Sequence, residues 1–171
     1  MLKFYTDGAS TMKKINNEWI RCNGGAAMVC INDENKIIAE YKRGFKNTTN
    51  NYCELHAIYL ALSYWNNNYP NEEIEIYSDS AYCVNMLKEN GWIYSWEKNN
   101  WTRGKKHEPI ENLPIIKKIW ELLDDNVTFI KVKGHAGNQY NELVDKMAVE
   151  AKEKGEWFDE IHYATGKSYL C

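Results

Sequence analysis

The stretch GGAAMVCINDENKIIAEYKRGF, Gly24 to Phe45, reads as two strands joined by the turn-like run Asn32-Asp33-Glu34-Asn35. KFYT, Lys3 to Thr6, alternates and reads as a strand ahead of them, separated by a polar stretch from about Ala9 to Asn23. Three consecutive strands suggest an antiparallel meander. Downstream the pattern changes. From Asn51 to about Asn67, Ile58, Leu62 and Trp65 recur at helical spacing. EIEIYSD alternates as a strand, and a short helix follows Ser80. Trp92 to about His107 is rich in Trp and Lys and has no clear period. Pro109 to Leu123 reads as a helix with Leu113, Ile116, Trp120 and Leu123 on one face. VTFIKVK is a strand, and Gln139 to about Lys154 a helix. The later strand–helix alternation suggests parallel additions. The expected architecture is α/β, one mixed sheet with helices on both faces.

At 171 residues the chain is expected to form one domain with a sizeable core. Its 44% hydrophobic and 26% charged residues are ordinary for a globular protein. No apolar run is long enough to span a membrane, and the N-terminus shows no secretion signal. Cys22, Cys30, Cys53, Cys83 and Cys171 form no CxxC pair and read as reduced thiols of a cytoplasmic protein, with zinc disfavoured. A net charge of −3 argues against coating nucleic acid by charge alone. It allows acids gathered in a metal site and bases gathered elsewhere.

Four carboxylates stand at informative places. Asp7 follows the first strand in YTDGAS, where Asp-Gly also reads as a turn. Glu54 lies one turn into a helix, with Ile58, Ala61 and Leu62 at i+4, i+7 and i+8. Its carboxylate therefore sits along the apolar stripe and needs a cation, unless the first turn frays. Asp79 ends EIEIYSD ahead of a helix, where Asp or Ser is a good N-cap but ligands also bind. Asp145 sits beside Val144 and Ala148 on the last helix, where a solvated face is the plain alternative. If the four converge, their repulsion calls for hard divalent cations, Mg²⁺ or Mn²⁺. Two such ions about 3.5–4 Å apart activate a water and stabilise a leaving alkoxide in phosphodiester hydrolysis. His135, set between Gly134 and Ala136-Gly137 in VKGHAGNQYNELVDKMA, suits proton movement or product departure.

YTDGAS, TTNNYCELHA, YSDSAY and GHAGNQYNELVDKMA resemble, in order, the four signature segments of ribonuclease H type 1, the bacterial-like members with a basic protrusion. The resemblance runs from about Lys3 to Ala151. It implies a five-stranded mixed sheet, three antiparallel strands then two parallel, with helices on both faces. The catalytic domain would cover 1–155; the tail, 156–171, carries no family motif, and its aromatics are expected to pack on the domain, the alternative being a partner-binding peptide. It implies endonucleolytic cleavage of the RNA strand of RNA–DNA hybrids with two Mg²⁺ ions, Mn²⁺ being a substitute, leaving 5′-phosphate and 3′-hydroxyl ends. Carried over by motif, Asp7, Glu54, Asp79 and Asp145 are metal ligands, and His135 is the mobile catalytic assistant. Asn50 and Asn51 would contact the minor groove and Thr49 a DNA phosphate, with Gly8 and Ser10 also at the substrate. Neutral amides suit a nuclease that reads backbone and 2′-OH without a base code.

Trp92, Trp96 and Trp101 keep the spacing of the family's basic protrusion. Lys98, Arg103, Lys105 and Lys106 lie among them, with no acid between Lys98 and His107. This patch is expected to contact phosphates in a salt-sensitive way, one or two of the tryptophans serving packing instead. The chain departs from the family in two places. The loop from Thr11 to Cys22 is long and lacks the glycine–proline turn, and Ala81 stands where many members have Gln. The partner expected is a hybrid duplex, bound by a monomer, with no membrane. The alternative is a non-catalytic hybrid-binding module of the same fold, which would usually have lost a carboxylate. An integrase-like or resolvase-like two-metal enzyme would lack the TNN triplet and the protrusion.

Overall fold

The computed structural model describes residues 1–133, 137–154 and 157–159. Strands β1 (Leu2–Ile15), β2 (Glu18–Ile31) and β3 (Ile37–Lys46) come first, then α1 (Asn50–Asn68), β4 (Ile74–Ser78), α2 (Ala81–Leu87) and α3 (Trp92–Lys98). They are followed by α4 (Leu113–Leu122), β5 (Val127–Lys131), α5 (Gln139–Lys154) and β6 (Trp157–Asp159). The sheet order is β5-β4-β1-β2-β3-β6. β1, β2 and β3 pair antiparallel, while β4 joins β1 and β5 joins β4 in parallel. This is the expected mixed sheet of five strands. A short sixth, β6, is added in parallel at the outer edge of β3, pairing Gly44 with Trp157 and Lys46 with Asp159. The remainder of the 156–171 tail lies outside the described residues.

The two-residue period of the central strands divides the core between the sheet's faces. Phe4, Ala26, Met28 and Cys30 pack with α1, α2 and α4, around Leu55, Ile58, Leu62, Trp65 and Ile116. Tyr5, Ala27, Val29 and Ile31 face the other way, onto Val144, Met147 and Ala148 of α5. A side chain at Gly25 would overlap the Ala148 carbonyl, so this glycine lets α5 lie close on β2. α1 is buried around most of its circumference, as a central helix must be.

The turn between β2 and β3 is where the sequence puts it. The Asn32 side chain accepts from the Glu34 and Lys36 amides at 3.0 Å, and Asn35 takes the left-handed region. Other segments differ from expectation. The polar stretch from Ala9 to Asn23 is not a loop: β1 and β2 continue through it as a hairpin arm, closed by Asn16 and Asn17 at φ 52° and 65°. Positive φ at both turn residues suits a two-residue hairpin, a role Asn tolerates. Trp92–Lys98 is a seven-residue helix, and α4 starts at Leu113, four residues later than expected. Cys30, Cys53 and Cys83 are free and buried. Among the described residues no helix is long and apolar enough to cross a membrane.

Candidate active site

The parallel pairing of β1 with β4 aligns Thr6 with Ser78. Asp7 and Asp79 each stand one residue beyond that pair, at the same level of adjacent strands. α1 brings the third acid. Thr49 caps this helix, its hydroxyl accepting from the Tyr52 amide at 3.2 Å. Gly8 then permits a close approach: a methyl group there would overlap the backbone of Cys53 and Glu54. Oxygens of Asp7, Glu54 and Asp79 consequently lie within 4.8 Å of one another.

Asp79 is not spent as a cap. The Ser80 hydroxyl takes that role for α2, accepting from the Cys83 amide at 3.1 Å. The first turn of α1 does not fray either, and Glu54 is buried there.

The electrostatics are those of crowded, buried acids. Burial pushes the Asp7 carboxyl up to about 7; bonding to Glu54 and to the Gly8 amide opposes this, while Asp79 and Asp145 add to it. Burial and the adjacent Asp7 likewise hold Glu54 well above the usual carboxylate range. Glu54 Oε2 is buried with no hydrogen-bond partner. Among the described residues no Lys or Arg pairs with any of these acids. An orphaned buried oxygen beside two further carboxylates fits a hard divalent cation, whose charge would offset the repulsion. Asp145, half-buried on α5, reaches the Asp7 carboxyl from the opposite face of the sheet but lies outside the trio.

The family model described as RNase H matches residues 1–153. The chain belongs to the RNase H family. The ribonuclease H of Clostridium botulinum is 40% identical over 155 residues, covering 88% of this chain and 94% of that relative. The ribonuclease H of a Thermoanaerobacter species is 36% identical over 151 residues, covering 88% of each. The solution structure of the PFV RNase H domain has the same fold, with a TM-score of 0.73 at 22% identity over 88% of this chain and 93% of that one. A crystal structure of LC11-RNase H1 in complex with RNA/DNA hybrid superposes with a TM-score of 0.63 at 19% identity, covering 90% and 98%.

In this RNase H the other expected site residues are spread around the carboxylates. Asn50 and Asn51 are exposed at the start of α1, and Ser10 Oγ donates to Asn50 Oδ1 at 3.4 Å. Gly8 is buried as the packing position just described. His135 lies outside the described residues. The Trp–Lys segment is divided between packing and surface: Trp96 and Trp101 are partly buried against the core, while Trp92 is exposed. The Trp101 ring meets Trp120 edge-on at 5.8 Å, and its backbone sits at an unfavourable φ of 60°. Lys98 and Lys105 line a groove of about 620 Å³ with Tyr94 and Asn99. Arg103 is bound to Glu108 at 3.4 Å, an acid just past the run that looked purely basic.

No sequence motif singles out Tyr82 or Glu111. They close a cavity of about 500 Å³ with Trp92, Trp96 and Arg103. Tyr82 sits on α2 with its ring 6.2 Å from Trp92. No spacing rule links the two, because the contact depends on how α3 folds back.

Proposed function

We infer that the protein hydrolyses the RNA strand of RNA–DNA hybrids endonucleolytically, leaving 5′-phosphate and 3′-hydroxyl ends. The observation that carries this is the complete carboxylate trio with its orphaned Glu54 oxygen. Asp7, Glu54 and Asp79 would hold Mg²⁺, with Mn²⁺ as a substitute, and Asp145 with Asp7 would serve a second ion. When bound, the ions supply a nucleophilic water at neutral pH and neutralise charge developing on the leaving oxygen.

The chain supplies the rest. Burial keeps the site poor in water, so the charges placed there act strongly. Asn50 and Asn51 offer amides to the minor groove, where the 2′-OH marks the RNA strand. The Thr49 hydroxyl, though it caps α1, keeps its proton for a phosphate. Lys98, Lys105 and Lys106 draw in the backbone of a duplex bound by one monomer. His135 moves protons at the reacting phosphate or aids product departure.

Cleavage of an end-labelled hybrid, with Mg²⁺ and with EDTA, beside an Asp79→Asn control, tests this. Metal-dependent cutting of the RNA strand alone, lost in the control, is the expected result. Tight binding without cutting would overturn it in favour of a non-catalytic binding module.

A further inference from the structure

We propose that the β1–β2 arm, Met12 to Arg21, is an additional nucleic-acid contact surface, seating the sugar–phosphate backbone of the hybrid beyond the carboxylate site. The proposal rests on the reading of the protein as a hybrid nuclease. The arm is the long segment that departs from the family's glycine–proline turn, and it is built as a strand pair.

Its two faces differ. Lys14 lies opposite Trp19, and Met12 opposite Arg21, so these four share one face. That face exposes the Lys14 ammonium, an indole and a thioether, with the half-buried Arg21 at its base, and carries no acid. Lys13, Ile15, Glu18 and Ile20 make up the other face. Trp19 is 64% exposed, and the Lys14 ammonium stands 5.8 Å from its ring centroid.

The cationic face continues the substrate side of the molecule. At the register shift, β1 advances two residues from Ser10 to Met12 while β2 spans three, from Gly24 to Arg21. The extra residue is on β2, so alternation along β1 is unbroken. Met12 and Lys14 therefore share the face of Gly8, which packs on α1, and of Ser10, which bonds Asn50. From Ser10 the arm carries that face about 13 Å further to Lys14, at about 3.3 Å per residue. That is about four base pairs of duplex.

A large apolar patch would suit a protein partner, but here the exposed aromatic stands beside a cation. A flat indole lies along a sugar while the Lys14 ammonium beside it meets a phosphate, the chemistry of sequence-independent binding.

The test compares Lys14→Ala/Trp19→Ala with the unmodified arm, both in an Asp79→Asn background, binding a labelled RNA–DNA hybrid over a range of salt. Both residues are exposed, so the melting temperature should not move. The arm variant should bind about tenfold more weakly at low salt, with a salt slope smaller by about one. In the catalytically intact protein it should raise KM and leave kcat alone. Lys14→Arg/Trp19→Phe should restore binding. Unchanged affinity and slope would overturn the proposal and leave the face to a protein partner. Failure of the unmodified protein to cut hybrid would sink the nuclease reading instead, and the binding comparison would still decide the arm.

Discussion

Gly8 lies against the backbone of Glu54 so closely that a single methyl group does not fit between them. This contact sets the distance between β1 and α1, and with it the distance between Asp7 and Glu54. Gly8→Ala should force the helix outward, costing about 1–3 kcal/mol as an overpacked core does. Activity should fall further than stability, because the acids separate. Urea unfolding and hybrid cleavage measured on the same preparation check this. A variant of unchanged stability and rate would show that the contact is slack.

Asp7 moves from an ordinary value of 3.8 to about 7 in the folded protein, chiefly through burial. Between those values the folded state binds more protons than the unfolded one. Metal-free stability should therefore fall as pH rises through about 4 to 7, with the whole penalty present above 7. Glu54 adds to it with the same sign. At pH 8 in EDTA, Asp7→Asn should be more stable than the wild type by about 1–3 kcal/mol. Mg²⁺ should stabilise the wild type more than the variant. Urea melts at pH 5 and pH 8, with and without Mg²⁺, decide it; a less stable variant at pH 8 would contradict the electrostatic account.

The site was legible as residue types at the ends of elements, and its convergence was not. Asp7 and Asp79 become neighbours through the Thr6–Ser78 pairing, a long-range parallel contact that no local spacing encodes. The core strands were legible because β2 alternates between two buried faces, Ala26, Met28 and Cys30 on one and Ala27, Val29 and Ile31 on the other. The arm was not. Met12 to Trp19 is exposed on both faces, so no alternation of burial marks it, and Asn16-Asn17 is a weaker turn signal than Asn-Gly. α3 buries only Ile93 fully, which leaves a seven-residue helix without a period to detect.

His56, two residues after Glu54, responds to acid in the opposite sense to Asp7. Arg43 Nη1 lies 3.1 Å from its Nε2, and the Tyr52 hydroxyl 3.2 Å from its Nδ1. A guanidinium only donates, so Nε2 accepts and the ring proton sits on Nδ1, donated to Tyr52. Burial, then the charges of Arg43 and Lys118, lowers its pKa from 6.5 to about 3. This neutral imidazole contributes its full stability above 6.5 and loses it as pH falls toward 3. His56→Gln should cost about 1–3 kcal/mol at pH 7 and lose less than the wild type between pH 6.5 and 4.5. Paired urea melts at those pH values measure the difference; parallel slopes would mean that His56 charges freely in the folded state.

The cations between Lys98 and Lys106 are not equally free of acidic partners. Arg103 is already engaged by Glu108, through a side-chain pair at 3.4 Å and backbone bonds in both directions. Lys98 and Lys105 line their groove without an acidic partner among its lining residues. Lys98→Ala/Lys105→Ala should therefore weaken hybrid binding and reduce the salt slope by nearly two, each lysine releasing about one counterion. Arg103→Ala should cost less than either lysine. Glu108→Gln should do the reverse, freeing the guanidinium, tightening binding at low salt and steepening the slope. The exposed pair contributes little to folding, so the melting temperature should stay within a degree or two of the wild type. Titration of a labelled hybrid at several salt concentrations separates these outcomes. If Glu108→Gln left both affinity and slope unchanged, Arg103 would lie outside the path of the duplex, and the lysines alone would carry it.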